Sequence, residues 1–343
     1  MDRILLSHGG GGRQSQKLVR ELFAKHFANH TLDQFGDAAL LDFDFRTPSP
    51  ESRVPQLAFT TDSYVVRPLE FPGGNIGKLA VCGTVNDLAV SGAEPLWLSC
   101  GFIIEEGFEV AALERIVASM AQTARDANVS VVCGDTKVVD RGKADGLFIN
   151  TAGVGRCISK KSLSPNSIQA GDKILLSGTI ADHGIAIMAA RKELTLETPV
   201  ESDCAALNEL TNAIMEVAPD TRCMRDPTRG GVAAALNEWV ENTDTGITIE
   251  EGAIPLNEST RAVCEMLGFD PLTVANEGKL LAVVPTAESK AALKAMQSHV
   301  LGKNAAVIGS VTTDNPGKLV MSTSFGTTRI VPLPSGELLP RIC

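Results

Sequence analysis

Between residues 96 and 154 the chain alternates between two hydrophobic periods, which limits it to folds that layer helices on a sheet. Leu96–Ile104 is an almost unbroken apolar run of strand length. Glu109–Ala127 follows, with Leu113, Ile116, Val117, Met120 and Ala124 on one helical face. Val129–Cys133 and Leu147–Val154 read as further strands, and the helix Gly77–Gly92 and the extended pieces Phe35–Asp44 and Gln56–Val66 precede them. The second half alternates in the same way. Strands are expected at Lys173–Leu176, Gly246–Ile249, Lys279–Val284, Ala305–Val311 and Lys318–Met321. Helices are expected at Asp182–Lys192, Cys204–Val217, Gly230–Asn242, Ser259–Leu267 and Ala287–Val300. This content predicts an α/β and α+β protein.

At ~150 residues per domain, 343 residues make two domains. The polar stretch Ser159–Gly171, with Pro165, is the expected boundary. We place an N-terminal domain at 1–160, a C-terminal domain at 170–331 and a tail at 332–343. The tail carries Pro332, Pro334, Gly336 and Pro340, shows no helical period and ends on Cys343. Proline favours extended backbone, so this segment reads as a flexible arm bearing a terminal thiol.

Charge narrows the partners. Lys plus Arg is 31 against 41 Asp plus Glu, a net charge of −10, which disfavours nucleic acid and anionic membranes. No apolar run approaches the ~20 residues of a membrane span, and the N-terminus lacks a signal-peptide core. The eight cysteines form no CxxC pair, so a cytoplasmic, disulfide-free protein is expected. Five scattered histidines make no metal motif. Gly73–Leu79 fails the phosphate-loop pattern, because Pro72 and Leu79 stand where glycine and Ser/Thr are required.

What remains is a set of acids in glycine-rich or strand-end settings: Asp37, Asp62, Asp87, Asp135 and Asp226. Asp37, Asp62 and Asp135 each close an expected strand. Converging carboxylates repel unless cations neutralise them, and hard oxygen donors suit Mg²⁺ bridging to phosphates. Asp226-Pro227-Thr228-Arg229-Gly230-Gly231 opens a helix. Its backbone N–H groups, with Arg229, make a candidate anion site. Taken singly, each aspartate is better explained as a turn or cap residue.

Gly36–Ala39, Thr61–Ser63, Asn86–Ala93, Gly134–Thr136 and Asp226–Gly231 together resemble the ATP-binding superfamily of aminoimidazole ribonucleotide synthetase, which includes selenophosphate synthetase and thiamine monophosphate kinase. Phe71–Lys78, Asn276–Leu280 and Pro340–Cys343 resemble its hydrogenase-maturation branch in particular. The likeness runs the length of the chain, in order. Two features depart from it: Arg46–Pro55 is a long loop, and Gly9–Gly12 is all glycine. The N-terminal run Ser7–Arg13 also lacks the reactive Cys of a selenophosphate synthetase.

The resemblance implies a two-domain aminoimidazole ribonucleotide synthetase-like fold whose N-terminal domain pairs strands in a homodimer. It implies ATP and Mg²⁺ between the domains. The nucleotide would be held by Asp37, Asp62, Asn86, Asp87, Gly134, Asp135, Asp226, Thr228, Arg229, Gly230 and Gly231, and the metal by Asp37, Asp62, Asp87, Asp135 and Asp226. It further implies a reaction. The carbamoyltransferase HypF loads a carbamoyl group onto Cys343, ATP drives its dehydration to a thiocyanate, and the cyanide passes to iron on the HypC–HypD complex. Glu277 is the expected base, and Lys137 a stabiliser of the phosphorylated oxygen or a proton relay. Two other readings stay open on the residues: a carrier that only presents a thiol-linked group, and a relative that phosphorylates a small molecule.

Overall fold

The structure, a computed structural model, describes residues 13–18, 20–21, 38–42, 56–191, 199–336, 339 and 341–343. Asp37, the Gly9–Gly12 run and Pro340 lie outside them.

The first unit runs α1 (Arg13–Leu18), β1 (Ala39–Asp42), β2 (Gln56–Tyr64), β3 (Glu70–Phe71), β4 (Gly74–Asn75), α2 (Ile76–Val90), β5 (Ala93–Glu105), α3 (Val110–Asp126), β6 (Ser130–Val139) and β7 (Leu147–Cys157). Its main sheet has the order β1-β2-β7-β5-β6, with only β5 and β6 parallel. Asn75 starts α2 by accepting the N–H groups of Gly77 and Lys78, each at 3.0 Å. So the glycine-rich stretch that mimicked a phosphate loop is a β-turn and a helix cap. Ile76, Leu79, Val81, Val85 and Leu88 bury α2 on nearly every side, as expected of a helix between two layers. Among the described residues nothing covers the opposite face of the sheet, where Phe59, Trp97 and Ile103 are 44%, 50% and 45% exposed.

β6 runs six residues past the expected Cys133 end of the strand. Asp135 and Lys137 therefore lie inside a strand, not in the loop after it. The strand sits at the sheet edge and is exposed almost throughout. With no layer to pack against, its second half carries no hydrophobic alternation to mark it.

The second unit contains β8 (Lys173–Leu176), α4 (Asp182–Ala189), α5 (Asn208–Val217), β9 (Cys223–Arg225), α6 (Gly231–Val240), β10 (Gly246–Glu250), α7 (Glu258–Leu267), β11 (Leu281–Val284), α8 (Thr286–Ser298), β12 (Ala306–Thr312), β13 (Leu319–Ser322) and β14 (Thr328–Ile330). The sheet order is β14-β13-β10-β12-β8-β11-β9. One face packs Ile174, Leu176, Ile249 and Val283 on Leu236, Trp239 and Val240 of α6. The other packs Leu175, Ala282 and Val284 on Leu210 and Ile214 of α5 and Met296 of α8. Burial on both faces is why Leu281–Val284 reads as an unbroken apolar run.

The two units share a core. Ile187, Cys204, Ala275 and Ile342 join Ile76, Leu79 and Cys82 in one cluster. Gly73, at φ +90°, lies against this seam, where a Cβ would meet the backbone of Ser202 at 2.6 Å. The Ser202 N–H donates to the Pro72 carbonyl at 2.9 Å. Asn86 ties α2 across the seam: its amide donates to the carbonyls of Ala205 (3.1 Å) and Glu277 (3.4 Å), and its oxygen accepts the Leu207 N–H (2.8 Å). This anchoring holds 203–207 out of helix, so α5 begins at Asn208 instead of the expected Cys204.

Candidate active site

The site is built where β2, the helix starts of α4 and α6, and the Asn276–Lys279 segment face each other across the seam. Alternation along β2 puts Ala58, Thr60 and Tyr64 inward, with Asp62 in the same register. The Tyr64 hydroxyl donates to Asp62 Oδ2 at 3.1 Å, and Thr60 Oγ1 donates to Asp87 Oδ2 at 2.9 Å. Burial and the nearby Asp62 and Asp87 carboxylates push the Tyr64 hydroxyl well above its usual range. It therefore stays a proton donor at neutral pH.

From the second unit, Asp226 is buried beside the start of α6. The Thr228 N–H donates to the Asp226 carbonyl (3.0 Å), and the Thr228 carbonyl accepts the Gly231 N–H (2.9 Å). Gly230 and Gly231 both take positive φ, +80° and +61°. A Cβ on Gly231 would press on the carbonyls of Leu272 and Val274 at 2.5 and 2.7 Å. Here glycine is required twice over, by conformation and by space.

The chain's last residues close the site. Contrary to a free arm, Ile342 is 3% exposed. The Val65 N–H donates to the Cys343 carbonyl (3.3 Å) and the Arg67 N–H to that of Arg341 (3.1 Å), so the terminus runs alongside the stretch after β2. Arg341 donates to the Val65 carbonyl at 2.9 Å and pairs with Asp145. His183, fully buried on α4, contacts the Ile342 carbonyl through Nε2 (2.9 Å) and Ser202 Oγ through Nδ1 (2.8 Å). Burial lowers its pKa, so a neutral ring donating from Nε2 and accepting at Nδ1 satisfies both contacts.

Cys343 lies beside Glu277 there, and burial is the main cause that pushes its thiol up to about 12. Glu277 is 2% exposed, and its Oε1 reaches no hydrogen-bond donor. Burial first, then the surrounding Cys204, Asp226, Asp203 and Asp62, raises its carboxyl well above the usual carboxylate range. Arg229 supplies the local positive charge. Its guanidinium is held protonated most strongly by Cys343, then by Asp62 and Glu277.

The structure thus gathers Asp62, Asp87, Asp226, Arg229, Glu277 and Cys343 from the expected set, with Thr228, Gly230 and Gly231 shaping one wall. Asn86 is adjacent, but its amide is spent on the seam. Asp135 and Lys137 are not in this group. They pair with each other at 2.7 Å on β6, opposite Gly101 and Ile103, on the uncovered face of the sheet. β7 and β5 stand between them and Asp62, about 14 Å at strand spacing. Gly134 lies on the same edge strand, where its missing Cβ leaves room for the Cys100 carbonyl.

Tyr64, His183, Asp203 and Arg341 escaped sequence reasoning. Only Tyr64, the single tyrosine, carried a signal, two residues beyond Asp62 on one face of a strand. Among the described residues no three His, Cys, Asp or Glu side chains stand close enough to hold a metal alone. The Asp62 and Asp87 carboxylates still offer the hard oxygens Mg²⁺ prefers, and that ion commonly completes its shell with water and phosphate. The residues therefore fit a metal that arrives with a nucleotide.

Comparison with known proteins agrees with this architecture. Residues 36–157 match the AIR synthase related protein N-terminal domain family, and residues 169–322 its C-terminal domain family. The chain is 48% identical over 342 residues to the carbamoyl dehydratase HypE of Rhodobacter capsulatus, covering 100% of this chain and 98% of that one. A solved HypE–HypF complex superposes with a TM-score of 0.85 at 46% identity, over 92% of this chain and 99% of that one. HypE in complex with ATP superposes with a TM-score of 0.80 at 44% identity, over 99% and 100% of the two chains. With a seam that buries a glutamate against a terminal cysteine, and with this likeness along its whole length, the chain belongs to the HypE carbamoyl dehydratase family of the AIR synthase fold.

Proposed function

We propose that this protein is an ATP-dependent dehydratase in NiFe hydrogenase maturation, converting an S-carbamoyl group on its own Cys343 into a thiocyanate. The observation that carries this reading is the Cys343 thiol set beside a buried Glu277 whose Oε1 has no donor. A carboxylate kept dry and unsatisfied beside a terminal sulfur is a group held for proton transfer.

The carbamoyl oxygen attacks the γ-phosphorus of ATP and releases ADP, because a phosphate leaves where hydroxide cannot. Such a transfer is driven by positioning and charge neutralisation. Asp62, Asp87 and Asp226 are the proposed Mg²⁺ residues, with Asp37 joining them from outside the described residues. Mg²⁺ held there would supply charge neutralisation for the phosphoryl group. Arg229 and the amides at Thr228, Gly230 and Gly231 receive phosphate oxygens. With Mg²⁺ and Arg229 beside it favouring its ionised form, Glu277 would take one proton from the carbamoyl nitrogen, leaving an O-phosphorylated imidate. Loss of the second N–H proton and cleavage of the C–O bond then give S–C≡N and inorganic phosphate. The dry seam keeps water from adding back across the nitrile.

HypF is the proposed carbamoyl donor and a HypC–HypD complex the cyanide acceptor. The bare sheet face and the open edge of β6 favour a homodimer, since an exposed edge strand invites pairing. A cytoplasmic setting fits eight cysteines with no disulfide among the described residues. Among the described residues, no helix is long and apolar enough to cross a membrane.

The test is mass spectrometry of the terminal peptide after carbamoylation and addition of Mg·ATP. The mass of the carbamoylated peptide should fall by one water, and Cys343→Ala should give no product while binding ATP normally. Loss of ATP binding in the wild-type protein, with carbamoylation intact, would favour a mere carrier. ATP turnover that survives Cys343→Ala would favour a small-molecule kinase.

A further inference from the structure

An ion pair with no assigned role lies directly behind Glu277. Lys279 Nζ is 3.1 Å from Asp203 Oδ2, and the two side chains are 12% and 3% exposed. The other oxygen of Asp203 accepts the Glu277 N–H at 3.0 Å. The Ala205 N–H donates to the Glu277 carbonyl at 3.3 Å, so residues 203–205 grip both backbone groups of Glu277. Gly278 makes the grip possible: a Cβ there would run into the Asp203 carbonyl and come within 2.9 Å of the Ala205 nitrogen.

Stability does not account for the pair. Drawing two charges out of water costs several kcal/mol each, and apolar residues of like volume usually stabilise as much. What the pair does secure is direction. The Glu277 carboxylate has no donor on Oε1 to orient it, so its aim depends on the backbone that carries it. We infer that Asp203 and Lys279 are positioning residues for the dehydration: Asp203 pins the Glu277 backbone so that its carboxylate faces Cys343, and Lys279 cancels the charge that this pin brings next to Glu277. This rests on the reading of Glu277 as the base.

The experiment uses the full-length protein carbamoylated on Cys343 and follows single-turnover nitrile formation with the KM for ATP. Asp203→Ala should slow dehydration by about 10²-fold, the usual effect of a base displaced by about 1 Å, with the KM for ATP within about twofold. Lys279→Met should be slow as well, because it leaves Asp203 unpaired. The double variant Asp203→Asn/Lys279→Met keeps an acceptor for the Glu277 N–H and removes both charges; it should recover about tenfold over Lys279→Met. Glu277→Gln, run in parallel, should give no product. Wild-type rates in Asp203→Ala, alongside an inactive Glu277→Gln, would overturn the positioning role and leave the base standing. A fully active Glu277→Gln would overturn the reading beneath it. A double variant no faster than Lys279→Met, or a KM for ATP that worsens in step with the rate, would assign the pair to structure alone.

Discussion

Glu277 and Cys343 are each held in the protonated form by the same dry seam, and the two consequences can be measured separately. In the unfolded chain Glu277 ionises at about 4.3; folded, it keeps its proton to a much higher pH. Between those values the unfolded state is the one that releases the proton, so rising pH favours unfolding. Glu277→Gln has no proton to release. It should match the wild type near pH ~4 and exceed it near pH ~8, as read from urea midpoints. Equal stability at both values would show that Glu277 is solvated in solution. For Cys343 the thiolate is the reactive form, and the docked thiol is pushed up to about 12. Alkylation of the nucleotide-free protein near pH ~8 should run about 10²–10³-fold slower than for a free thiol. Arg341→Ala, which loses the hold on Val65 and Asp145, should restore much of the rate.

At the level of elements, legibility followed burial. β8 lies inside a two-faced sheet, and its apolar run gave its bounds directly. α2 and α3 were legible within one or two residues of their ends. β6 was cut short because an uncovered edge has no alternation, which moved Asp135 and Lys137 into a loop that does not exist. The tail was read as an arm because prolines speak to local extension, while its docking depends on Val65, His183 and Asp145, far away in the chain. Asp203 was invisible for the same reason: nothing in Ser202-Asp203-Cys204 announces a partner at Lys279. The paired glycines at the start of α6 were legible as a candidate anion site, whereas their crowding against Leu272 and Val274 depends on chain far away. Gly231→Ala should cost about 2–4 kcal/mol, combining a left-handed backbone with overpacking. Thermal unfolding within one degree of wild type would refute the crowding against Leu272 and Val274.

At the scale of the whole molecule, Lys137 poses a geometric problem. Its strand is the open edge of the first sheet, and its side chain stands on the uncovered face, with β5 and β7 between it and Asp62. A lysine so placed does not reach the Cys343 of its own chain by a change of rotamer. If Lys137 acts in the dehydration, a second copy has to carry it there, and the bare face bearing Phe59, Trp97 and Ile103 is the surface a second copy would cover. Mixed pairs decide the matter in the proposed homodimer. Lys137→Ala and Glu277→Gln should each be inactive alone. Combined as heterodimers, they should regain activity if Lys137 serves the partner's site, because one of the two sites then holds both native residues. A Lys137→Ala homodimer with full activity would remove the residue from the chemistry. Heterodimers as inactive as their parents would tie Lys137 to its own chain and demand a movement of β6 that the edge position leaves sterically open.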